Sequence, residues 1–169
     1  AFEGLHDIYI PSYRPTRQPI PLTQIDERIG TQAIQIDPAK IVGIVFNNEL
    51  HDSPSTVTAP DDETQSIANH LIAFFEKEVE TGRLPSNLGP LQAGIGSIAN
   101  AVLTGLKDSN FEDLIMYSEV LQDCTFELID AGKMKFASGS SITLSAKYGE
   151  KVFNNIEQYK DKLVLRQQE

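Results

Sequence analysis

Strand-like and helix-like stretches alternate along residues 91–141 with only short links between them. That alternation restricts the chain to a sheet of parallel strands crossed by helices. Residues 88–93 can form a short strand leading into Gly94-Ile95-Gly96. Residues 97–106 then read as a helix, with Ile98, Val102 and Leu106 four apart on one face. Leu114-Ile115-Met116-Tyr117 is the next strand, residues 121–131 a helix closed by Gly132, and residues 134–137 a third strand. The small polar loop Ser138-Gly139-Ser140-Ser141 follows, then a helix around residues 147–158 and the apolar run Leu163-Val164-Leu165. The predicted class is α/β, with an open, mostly parallel sheet.

Upstream the texture differs. Seven of the nine prolines (Pro11, Pro15, Pro19, Pro21, Pro38, Pro54 and Pro60) lie in residues 1–60. Proline fixes φ and lacks an N–H, so this segment is neither long helix nor central strand but extended chain lying against something. Ile41-Val42-Gly43-Ile44-Val45-Phe46, ended by Asn47-Asn48, reads as its one buried strand. From Asp61 an amphipathic helix begins. Asp62 and Gln65 have capping-box spacing, Ile67, Leu71, Phe74, Phe75 and Val79 recur at helical period, and Gly82 stops it. The expected division is the end of one domain with its linker in residues 1–60 and the first part of a second in 61–169.

Charge and cysteine content remove several functions. A net charge of −10 argues against nucleic acid, because phosphate binding needs a basic face. The single cysteine, Cys124, excludes an internal disulfide and a cysteine-based zinc site, and reads as an apolar filler on a helix. His6, His51 and His70 are too scattered for a metal site, and Arg14 and Arg17 read as solvated loop residues. No run approaches the roughly 18 apolar residues of a membrane span, so no membrane partner is expected and the cytoplasm or an organelle matrix is the default.

Two features remain that can carry chemistry. Gly94-Ile95-Gly96 joins a strand to a helix, where free N–H groups attract a phosphate or a developing oxyanion. Residue 99 is Ala, so the dinucleotide fingerprint GxGxxG is incomplete. Spacing alone leaves open a turn that only packs tightly. Ser97 and Asn100 suit a helix cap or a ligand contact. Glu119 follows the apolar strand Leu114-Ile115-Met116-Tyr117 and Ser118. A carboxylate there is expected to be partly desolvated, which favours nucleophilic or acid–base use. The competing reading is a surface glutamate at a strand end. Asp123 suits a capping role and Glu127 a solvated one.

The stretch LQAGIGSIANAVL, followed by MYSEVLQDCTFELIDAGKMKFASGSSITLS, resembles the acetyl-CoA hydrolase/transferase family, which includes succinyl-CoA:acetate and 4-hydroxybutyrate CoA-transferases. The earlier IPLTQIDERIGTQAIQIDPAKIVGIVFNN resembles the region just upstream in that family, so the likeness covers most of the chain. The resemblance implies a CoA-transferase (NagB/RpiA-like) sheet in two halves with the active site between them. It implies that Gly94, Ile95, Gly96, Ser97 and Ile98 form the CoA-binding loop. It also implies that Glu119 is the nucleophile that forms a glutamyl-CoA thioester. Ser118 departs from the Thr expected in many relatives. The expected activity is transfer of coenzyme A between an acyl-CoA and a carboxylic acid such as acetate, with acyl-CoA hydrolysis as the alternative. Coenzyme A is then a substrate, with no tightly bound cofactor and no metal. Relatives often pair, which puts a homodimer among the expectations. Members run to about three times this length, so the chain is expected to be a middle portion with little activity of its own. A non-catalytic ligand-binding or assembly module is the reading from another class.

Overall fold

The computed structural model describes residues 4–47 and 60–167. His51 and Pro54 lie outside the described residues. In chain order the strands and α-helices are β1 (His6–Asp7), α1 (Asp62–Glu80), β2 (Pro90–Leu91), α2 (Ser97–Asp108), β3 (Leu114–Tyr117) and β4 (Val120–Leu121). Then come α3 (Asp123–Asp130), β5 (Met134–Gly139), β6 (Ser141–Ile142), α4 (Ala146–Asn154) and β7 (Leu163–Arg166).

The expected parallel sheet is present. Five strands run in the order β1-β7-β5-β3-β2, and every pairing between neighbours is parallel. A second, two-stranded parallel pair joins β4 to β6. Because β2, β3, β5 and β7 follow one another across the sheet, each crossover helix delivers the chain to the adjacent strand. Their carboxyl ends therefore line up along one edge, where ligands bind in open α/β sheets.

The core lies between this sheet and its helices. Leu114, Met116, Leu121, Phe126, Leu128, Met134, Val152, Leu163 and Val164 are all buried. Phe126 meets Tyr159 edge-on, with ring centroids 5.3 Å apart. Burying each large side chain is worth about 1.5–3 kcal/mol, which explains why the apolar runs of β3, β5 and β7 settle in the middle of the sheet. Helix α1 packs on α2, and α2 on α3.

Several boundaries differ from those the sequence predicts. The run from Ile41 to Phe46 is not a strand: Val42, Val45 and Phe46 are more than nine-tenths exposed, and no described strand pairs with it. A β-branched apolar run reports a preference for a sheet, but a strand also needs a neighbour to complete its ladder. The cap of α1 falls one residue early, with Asp61 accepting from the Thr64 N–H at 2.8 Å in place of Asp62. Ser138 and Gly139 belong to β5 and not to a loop. The last helical stretch breaks at Asn155 into α4 and a 3-10 segment, Ile156–Lys162.

Apart from β1, the described part of the proline-rich segment, residues 4–47, is coil and short turns, as its composition requires. Arg28 donates to the carbonyls of Gly4 (3.1 Å), Lys160 (3.2 Å) and Leu163 (2.8 Å). Beneath it, β1 adds to the edge of the sheet beside β7, pairing His6 with Leu165 and Asp7 with Arg166. Asp7 and Arg166 form an ion pair in which both side chains are almost wholly buried.

Candidate active site

Glu119 stands in the two-residue link between β3 and β4, just past the carboxyl end of β3. Its main chain is held by β5 and the residues after it. The Ser118 N–H donates to the Ser138 carbonyl at 2.9 Å, continuing the β3–β5 ladder. Three donors then converge on the Glu119 carbonyl oxygen: the Ser140 N–H at 2.8 Å, the Ser140 hydroxyl at 2.8 Å and the Ser141 N–H at 3.2 Å. The backbone that carries the carboxylate is thus fixed on the side facing β5.

Glu119 lines a cavity of about 280 Å³. Its walls come from the ends of four adjacent strands: Gln92 beyond β2, Tyr117 of β3 with Ser118 just past it, Ser138 and Gly139 of β5 with Ser140 just past it, and Arg166 of β7 with Gln167 just past it. Glu119 itself is exposed. The partial desolvation expected from its apolar strand is therefore absent, because the chain has already left the sheet at residue 119.

Buried charge underlies this cavity. Arg166 pairs with Asp7, donates through Nε to the Ser138 hydroxyl at 3.1 Å, and donates through Nη2 to the carbonyls of Ile25 (3.0 Å) and Glu27 (2.5 Å). Asp7 in turn accepts from the Gly30 N–H at 2.6 Å. Burial lowers the Arg166 pKa from its ordinary value, while the Asp7 carboxylate balances its charge. Spent on these partners, the guanidinium braces Ser138 and does not offer itself to a ligand.

The glycine turn sits on the next strand over. Gly96 has φ 152°, a conformation that side chains other than glycine's rarely adopt, and it opens α2 with no side chain capping the helix start. As at any helix start, the first-turn amides of α2 have no intrahelical acceptor, and no side chain caps them. Gly94, Ile95, Gly96, Ser97 and Ile98 all line a second cavity, of about 550 Å³, whose apolar walls include Leu71 and Phe75 of α1 and Val102, Leu103 and Leu106 of α2. Gln92 lines both cavities. Glu119 and the glycine turn are therefore neighbours on adjacent strand ends, each on its own cavity with one shared wall.

Other residues singled out in the sequence fall away from this edge. Cys124 is buried in α3, its Sγ–H directed at Asn100 Oδ1 at 3.5 Å, and burial pushes its thiol up to about 12. It is the apolar filler the sequence implied. Asp123 does not cap its own helix: it accepts from the Ser145 N–H (2.9 Å) and hydroxyl (2.5 Å), and so holds the residue that caps α4. Glu127 is half-buried and pairs with Lys107 at 3.5 Å. Arg14 and Arg17 are exposed. Among the described residues no group of three or more His, Cys, Asp or Glu is placed to hold a metal, and no helix is long and apolar enough to cross a membrane. Sequence reading passed over Gln92, Ser140, Gln122 and Arg166. A charged residue closing the buried run Leu163-Val164-Leu165 was the available signal for Arg166.

No protein-family model matches the chain. Curated relatives do. The chain is 48% identical over 170 residues to a protein of Neurospora crassa named acetyl-CoA hydrolase, and 47% identical over 168 residues to one of the same name from Eremothecium gossypii. The Saccharomyces cerevisiae acetyl-CoA hydrolase is 43% identical over 168 residues. Each match takes in 99% of this chain and 32% of the relative, so the chain spans about a third of the length of the curated relatives it matches. A solved structure of a RipA mutant aligns with 59% of this chain and 22% of its own, at 23% identity and a TM-score of 0.47. The resemblance carried by the two motifs thus extends along nearly the whole chain.

Proposed function

We propose that this chain, as part of an acetyl-CoA hydrolase/transferase, supplies the nucleophilic glutamate and the CoA-binding turn of an enzyme that moves coenzyme A between an acyl-CoA and a carboxylic acid. The observation that carries this reading is the placement of Glu119. It lies past the carboxyl end of a parallel strand, main chain anchored, in a cavity formed by four strand ends, one strand from a glycine turn with an uncapped helix start.

The chemistry follows from two groups. The Glu119 carboxylate attacks the acyl-CoA carbonyl, the C–S bond breaks, and a mixed anhydride and CoA thiolate result. The thiolate then attacks the glutamyl carbonyl of the anhydride, giving the glutamyl-CoA thioester and releasing the carboxylic acid as its carboxylate. An incoming carboxylate reverses the sequence and leaves as a new acyl-CoA. The exchange of one thioester for another is nearly isoenergetic overall, and the covalent intermediates split it into easier steps. Every attack builds an oxyanion, and the uncapped first-turn amides of α2 suit that charge, at about 3–4 kcal/mol per donor in such sites. In this reading residues 1–60 end one half of the enzyme and residues 61–169 begin the other.

Hydrolysis is the second reading, and the names of the relatives favour it. It differs only in the final acceptor: water attacks the glutamyl thioester, regenerates the carboxylate and releases CoA. Acceptor dependence separates the two in the full-length protein. A transferase forms acyl-CoA from a second carboxylate at the rate it consumes the first, whereas a hydrolase releases free CoA whatever acid is added. Glu119→Gln abolishes either activity, by about 10⁴-fold or more, since the amide is no nucleophile. Turnover surviving that substitution would remove Glu119 from the mechanism.

A further inference from the structure

The link between Glu119 and the glycine turn is made by the side chains that flank the glutamate. The last registered pair of the β2–β3 ladder is Leu91 with Met116. Beyond it the Ser118 hydroxyl bonds across to the chain that follows β2. It donates to the Ala93 carbonyl at 2.8 Å and accepts from the Ala93 N–H at 3.4 Å. Past the glutamate, Gln122 donates through Nε2 to the Gly94 carbonyl at 3.4 Å. Both side chains are buried, at 7% and 8% exposure. Polar groups shut away from water hold their partners, because losing one leaves the other unsatisfied.

We propose that Ser118 and Gln122 are positioning residues that lock the start of the glycine turn to the strand carrying Glu119. The inference rests on the reading of Glu119 as nucleophile and adds the device that sets its distance from the turn. The main chain of Ser118 belongs to the β3–β5 ladder while its hydroxyl belongs to the end of β2. One residue therefore ties both reacting parts to a single frame. Attack of carboxylate and then of thiolate requires the glutamyl carbonyl and the oxyanion amides to keep one separation through both steps. Misplacement on the order of 1 Å costs about 100-fold in such reactions.

The test is steady-state kinetics of acetyl-CoA turnover by the full-length protein, with thermal unfolding measured alongside. In Ser118→Ala and Gln122→Met the expected result is a fall in kcat of about 10- to 100-fold with KM for acetyl-CoA moving less than about 3-fold. Ser118→Thr, which keeps the hydroxyl, stays within about 3-fold of the parent in kcat. A purely structural role would lower the melting temperature and leave kcat of the folded protein unchanged, and that result overturns the proposal. Glu119→Gln is run in parallel. If it retains turnover, the nucleophile reading fails. If it is inactive while Ser118→Ala and Gln122→Met turn over at the parental rate, only the coupling fails. Should Ser118→Ala not fold, amide exchange in Gln122→Met decides. Faster exchange confined to residues 93–98 supports the lock, and unchanged exchange there refutes it.

Discussion

Glu119 and Cys124 lie on either side of β4, and burial separates their chemistry. The glutamate is exposed in a strand-end cavity, whereas Cys124 is 5% exposed and its thiol is pushed up to about 12 from 9.0, first by desolvation. Thiolate is the reactive form, so Cys124 is expected to be inert to a disulfide reagent at pH 8 in the native chain and to react fully on denaturation. The same shift fixes a sign for stability. Below about pH 9 both states keep the proton and the contribution of the buried thiol is fully present. Between about pH 9 and about 12 the unfolded chain loses the proton first, so stability falls as pH rises. Urea titrations of the parent and Cys124→Ala across that window should converge as the pH increases. Glu119 was legible in the sequence because it ends an apolar run. Its supports were not, since a serine that bonds a main-chain carbonyl 21 residues away leaves no local pattern.

At the scale of elements, parallel strands of four to six residues were readable wherever a crossover helix followed, as for β3 and β5. Of the two-residue strands, β2 was readable within residues 88–93, but β1, β4 and β6 were not, because they are too short to show a period. They exist through particular contacts. Edge strand β1 is pinned to β7 by the buried Asp7–Arg166 pair, joining residues 159 apart in sequence. Removing one partner of such a pair strands the other charge, so Asp7→Ala should cost about 3–5 kcal/mol in denaturant unfolding. Where β5 passes β4, a Cβ added to Gly139 would lie 2.7 Å from Cγ of the fully buried Leu121. Gly139→Ala is expected to destabilise by about 1–3 kcal/mol, and Gly139→Ala combined with Leu121→Ala by less than the sum of the two single changes. The run from Ile41 to Phe46 fails in the opposite sense: its sequence is that of a strand, but no described neighbour completes it.

For the molecule as a whole, the exposed apolar residues and the short span against its relatives point the same way. Val42, Ile44, Val45 and Phe46 in one run, and Phe74, Ile95 and Ile98 near the glycine turn, are exposed. Contiguous apolar surface of this kind marks an interaction face, and an unpaired strand-like run invites association. The isolated chain should therefore self-associate with rising concentration in analytical ultracentrifugation, and Ile44→Lys with Val45→Lys should suppress this without changing its circular dichroism. The same surfaces are consistent with negligible turnover by the chain alone. Whether Glu119 is the nucleophile is read by peptide mass spectrometry of the full-length protein after brief exposure to acetyl-CoA and rapid quenching. The expected result is a CoA adduct, less one water, on the peptide containing Glu119, lost on hydroxylamine treatment and absent from Glu119→Gln. Turnover with no adduct at Glu119, or an adduct that persists in Glu119→Gln, would contradict it.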